Sequence, residues 1–122
     1  MPDPIARLHV CVTCRAGRPP AAADTPPGAL LHAALVRLVR DGSCEIRDVA
    51  CLASCARGCA AAISMPGKWS YLLGKLSVAH APDLLAYAAA YSASASGTVL
   101  PSRRPASLRD VILGRFPAAD AA

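Results

Sequence analysis

The chain has 122 residues, 54% of them hydrophobic, and a net charge of +5 carried almost entirely by arginine, so one packed domain fits and two do not. A domain of this length buries roughly two-thirds of its unfolded surface and needs no disulfide or metal staple to fold. A single Glu and seven scattered Asp residues leave little for acid–base catalysis, so an enzyme is not expected.

In chain order, Ile5 to Val12 alternates apolar and polar residues and predicts a strand that runs into Cys11. Arg15 to Pro27 is rich in Pro, Ala and Gly and reads as a loop. Thr25 is placed to cap a helix with Pro26 at its first position, where a missing N–H does no harm. Leu30, Leu31, Ala34, Leu35, Leu38 and Val39 form its apolar stripe, and Gly42 stops it. Cys44 to Ala50 predicts a second strand, again ending at a cysteine. Ala60 to Met65 predicts a third, and Pro66-Gly67 a tight turn into a fourth, Trp69 to Leu73. A second helix is expected over Pro82 to Ala93. After Ser92 the chain becomes polar and Pro-rich; 1–96 is expected as the domain and 97–122 as a Pro/Arg-rich tail with a short helix near Ser107 to Leu113.

The order strand, helix, strand, strand, strand, helix is that of an α/β domain. Its first unit is a βαβ crossover, which makes strands one and two parallel, so both end at the same edge of the sheet. Five of the six cysteines sit just where those strands end: Cys11 and Cys14 after the first, and Cys51, Cys55 and Cys59 after the second. Ligand sites in α/β sheets gather at that edge.

Thiolates clustered this way suit a metal. The favoured reading is a [2Fe–2S] cluster, whose negative charge Arg15 and Arg57 and the backbone of a small-residue loop would stabilise. A structural zinc site is the alternative, set back by the wide spacing of the second cluster. Dithiol chemistry at Cys11-Val-Thr-Cys14 is the third, and Arg-Ala-Gly-Arg-Pro-Pro after it is no helix start of the kind that lowers a thiol pKa. A metal carrier that exchanges its ion is a fourth. Cys44, at the opposite end of its strand from Cys51, is expected as a small core residue. His9, His32 and His80 are expected as non-ligands, and Trp69 and Tyr71 as packing.

Neither a signal peptide nor a membrane span is visible, and a cytoplasmic location is expected. There is no basic helix stripe or aromatic platform for nucleic acid. The arginines suit instead an acidic protein partner.

The runs Leu8-His-Val-Cys-Val-Thr-Cys-Arg15, Cys51-Leu-Ala-Ser-Cys-Ala-Arg-Gly58 and Pro66-Gly-Lys-Trp-Ser-Tyr71 together resemble the thioredoxin-like [2Fe–2S] ferredoxins. Within that group they are most similar to a bacterial family of predicted metal-binding proteins. The resemblance covers about residues 7–95. It implies a thioredoxin-like fold, electron transfer as the activity, and a homodimer as a candidate assembly. By motif, Cys11 matches the first ferredoxin ligand, and Cys51 and Cys55 match the Cys-x-x-x-Cys pair. The chain departs from the ferredoxins in having no cysteine between Arg15 and Ser43, and in Cys59 after Gly58 where they have Pro. The fourth ligand is then Cys14 or Cys59, with Cys14 favoured. Members of the predicted metal-binding family are associated with cobalamin biosynthesis and cobalt handling, which implies electron supply to a corrin-pathway enzyme or metal delivery.

Overall fold

The computed structural model describes residues 5–13, 25–40, 43–52 and 58–118. The elements are β1 (Ala6–Cys11), α1 (Pro27–Leu38), β2 (Cys44–Val49), β3 (Ala61–Ser64), β4 (Ser70–Leu73), α2 (Ala81–Ala93) and β5 (Ile112–Phe116). The five strands make one sheet in the order β2-β1-β3-β4-β5. β1 and β2 run parallel, joined through α1, from the pair Ala6 and Cys44 to the pair Cys11 and Val49. The remaining pairings are antiparallel.

Strand alternation divides the sheet into two unlike faces. Leu8 lies opposite Ile63 and Val10 opposite Ala61, while Ile63 pairs with Tyr71 and Ala61 with Leu73. All of these are buried; α1 and α2 both pack on β1 and β2, and Tyr91 of α2 meets Tyr71 of β4 edge-on. α2 contributes Leu84, Tyr87, Ala88 and Tyr91, spaced to share one helical face. The other sheet face carries Arg7, His9, Glu45 and Arg47 in cross-strand register. There Glu45 accepts from Arg7 at 3.0 Å and from Arg47 at 2.7 Å, an exposed arrangement that contributes little to stability.

Helix α1 begins one residue later than its capping pattern predicts. Pro26 is the cap residue and Pro27 the first helical one, and the Thr25 side chain makes no cap. A residue before proline is pushed out of helical geometry, and Pro26, with ψ 143°, is held extended by Pro27. The buried face is Gly28, Leu31, Ala34 and Leu35. Leu30 and Leu38, expected in the apolar stripe, stand 46% and 45% exposed, because the sheet takes a narrower strip than the apolar residues offer. The helix ends as Val39 turns extended while its N–H still reaches Leu35 O. Gly42, the expected stop, lies outside the described residues.

Pro66 and Gly67 make the expected turn, with Gly67 at φ +77° and Lys68 N–H donating to Met65 O at 3.1 Å. Residues 97–118 depart from expectation. No α-helix spans Ser107 to Leu113. Single 3₁₀ turns at Pro101–Arg103 and Ala106–Leu108 lead into β5, which pairs with β4 through a bulge at Leu72/Leu73. Leu108 and Val111 are buried in the common core. The short run Ile112-Leu-Gly-Arg-Phe116 has no clear alternation. It is a strand because β4 would otherwise leave an unpaired row of backbone groups.

Candidate metal centre

The parallel β1–β2 pair delivers two cysteines to one edge. Cys11 closes β1 opposite Val49, and Cys51 follows β2 two residues later. The ladder continues past the strand ends, with Val12 N–H donating to Val49 O at 3.0 Å. β3, antiparallel to β1, starts from the same edge. Cys11 N–H donates to Ala60 O at 3.1 Å, which brings Cys59 beside them. All three described cysteines of the two clusters therefore lie at the end of the sheet that the parallel crossover predicts.

Their surroundings differ. Cys11 is 3% exposed, and by alternation it belongs to the face of His9. Its Sγ lies 3.7 Å from Ala50 O and 3.8 Å from Thr13 Oγ1, long contacts that leave the sulfur weakly bound. Cys51 is exposed. Cys59 is fully buried in the apolar core, and its backbone exchanges two hydrogen bonds with Leu76 at 3.3 and 3.0 Å. Cys14, Cys55, Arg15 and Arg57, all expected at this site, lie outside the described residues. Among the described residues no three His, Cys, Asp or Glu side chains are grouped to hold a metal ion. Cys11 and Cys51 supply soft donors of the right kind at the right edge, and any full ligand set draws on cysteines beyond them.

Thr13 is a site residue that sequence reasoning passed over. Its hydroxyl donates to Ala50 O and so ties the turn after β1 to the turn after β2. Its only sequence signal is a hydroxyl between the two cysteines of Cys11-Val-Thr-Cys14.

The remaining titratable candidates are accounted for elsewhere. Cys44 is buried at the far end of β2, and loss of solvent pushes its thiol up to about 11. His9 reaches Ser64 Oγ at 3.4 Å, and burial, then Arg47 and Arg7, hold its pKa below the ordinary value. His80 accepts the Ser77 N–H at 2.9 Å through Nδ1 and caps the turn before α2. Tyr71 is buried, and Trp69 is partly buried with the Arg115 guanidinium 4.4 Å from its ring centre.

Residues 8–118 match the family described as a protein of unknown function, DUF1636. The chain belongs to that family. Among curated proteins none matches the sequence. Two solved structures share the fold. The wild-type thioredoxin-like [2Fe-2S] ferredoxin from Aquifex aeolicus aligns with TM-score 0.58 at 12% identity, over 90% of this chain and 97% of that one. A second structure of a thioredoxin-like [2Fe-2S] ferredoxin from Aquifex aeolicus aligns with TM-score 0.55 at 12% identity, over 91% and 92% of the two chains. This family member therefore has a thioredoxin-like fold, with a five-stranded sheet and two α-helices. Among the described residues, no helix is long and apolar enough to cross a membrane.

Proposed function

We propose that the protein is an electron carrier that holds a [2Fe–2S] cluster at the sheet edge through Cys11, Cys51, Cys55 and Cys14. The observation that carries this reading is the placement of Cys11 at the end of β1 and of Cys51 two residues beyond the end of the parallel β2, on the fold of a [2Fe-2S] ferredoxin. Cys14 is taken as the fourth donor, with Cys59, which lies at the same end of the sheet, as the alternative. When bound, such a cluster accepts and releases one electron at a potential set by its charge environment. The chain's own residues set that environment. Thr13 and Ala50 pin the two ligand turns together, and Arg15 and Arg57 are assigned to offset the cluster's negative charge.

The positive chain would dock an acidic redox partner in the cytoplasm. Support for cobalamin metabolism rests on the family resemblance alone. The deciding measurement is iron and acid-labile sulfide content, with a visible spectrum, on protein purified without oxygen. Equal iron and sulfide with a red-brown colour are expected. Cys55→Ser should lower iron sharply, whereas Cys44→Ser should not. Zinc or cobalt without sulfide would replace the ferredoxin reading with a structural or metal-delivery role.

A further inference from the structure

Away from the cysteines, a hollow of about 180 Å³ opens where β4 and β5 face α2. Its size is below the roughly 300–1,000 Å³ of sites for drug-sized molecules, so an occupant would be small. One part of its wall is apolar, formed by Val99, Leu100 and Ile112. The rest is polar and unusually cationic. Arg104 and Arg115 both line it, beside Tyr87 and Thr98.

Neither arginine has a carboxylate partner among the described residues, where the ion pairs all involve Glu45. Arg104 is the more demanding of the two. Among the described residues its buried Nε–H meets no acceptor, and its Nη1 makes a 3.4 Å contact with Leu108 O. A buried donor on a charged group is costly to leave unsatisfied, and a guanidinium matches the geometry of a carboxylate or phosphate. The Arg115 guanidinium lies 4.4 Å from the Trp69 ring centre, a contact that leaves its charge unneutralised.

We propose that this hollow binds a small organic anion, with a carboxylate or phosphate head taken by Arg104 and Arg115 and a compact apolar body against Val99, Leu100 and Ile112. The site shares no residue with the cysteine edge, so its occupancy is independent of the metal reading.

The test is calorimetric titration of the full-length protein with benzoate, phenyl phosphate, inorganic phosphate and neutral benzamide. Saturable one-site binding of benzoate or phenyl phosphate is expected, with inorganic phosphate and benzamide each at least about tenfold weaker. The tighter of the two aromatic anions identifies the head group. Arg104→Met and Arg115→Met should each weaken the preferred anion by about tenfold or more, and Arg109→Met, outside the hollow, should not. A thermal melt checks that each variant is folded; should Arg104→Met fail to fold, Arg115→Met carries the test. Benzamide binding as well as benzoate, inorganic phosphate binding as well as either aromatic anion, unchanged affinity in Arg115→Met, or no saturable binding of either aromatic anion would overturn the proposal.

Discussion

At the end of the sheet where β1 and β2 finish, the Cys11 sulfur has contacts of 3.7 and 3.8 Å and the Thr13 hydroxyl joins the two turns; at the other end, hydroxyl and ammonium groups join a hairpin to a helix. There Tyr91 Oη donates to Trp69 O at 2.6 Å and Lys68 Nζ to Ser92 O at 2.6 Å. Trp69 N–H donates in turn to Ser96 O at 2.9 Å, and Gly97 sits at φ +85° against the Tyr91 ring. The polar groups of the second end are satisfied within the chain, and they lock the hairpin to the C-terminus of α2. The first end carries Cys11 at the close of β1 and the exposed Cys51 beyond β2. With the proposed metal site at the first end and the hydrogen-bonded network at the second, substitutions at the two ends should separate metal binding from stability.

The largest effect should come from Cys11→Ser, which is expected to remove most of the bound iron, read by metal analysis, while thermal stability of the metal-free protein changes little. Gly97→Ala should do the reverse. Its new methyl would meet Tyr91 Cε2 at 2.7 Å and Trp69 O at 3.1 Å, so chemical denaturation should show a loss of about 2–3 kcal/mol with iron content retained. Tyr91→Phe removes one hydrogen bond at the same place and should lose about 1–2 kcal/mol in the same assay.

Thiol reactivity sharpens the comparison between one strand's two ends. In metal-free protein, exposed Cys51 should alkylate with iodoacetamide at pH 8 well before Cys44, as mass spectrometry would record. With its thiol raised to about 11, Cys44 is ionised to only about one part in a thousand at that pH. Equal rates would mean that β2 is not seated as described.

The smallest effect concerns His9 on the uncovered face. Its folded pKa is lowered, so the unfolded chain binds the proton first as pH falls, and folding loses stability as pH drops through and below about 6.5. Melting temperature should therefore fall modestly between pH 7 and pH 5, and His9→Gln should flatten part of that slope. An unchanged slope would remove His9 as its source.

The sequence alone determined the first six elements and the edge at which Cys11, Cys51 and Cys59 lie. Alternation and helical spacing are local signals, and a βαβ unit permits few arrangements. It likewise determined the Pro66-Gly67 turn, because only glycine adopts the required positive φ without strain. Tertiary structure decided what depends on neighbours distant in the chain. Leu30 and Leu38 are exposed because the sheet accepts only one strip of α1, which no pattern within the helix shows. Residues 112–116 are a strand because β4 needs a partner, against a sequence that reads as tail. Arg103, Arg104, Arg109 and Arg115 look alike as charges along that tail. Packing alone sets Arg104 and Arg115 into one hollow, since the path of the chain from α2 to β5 folds residues 98–104 back over the tyrosines.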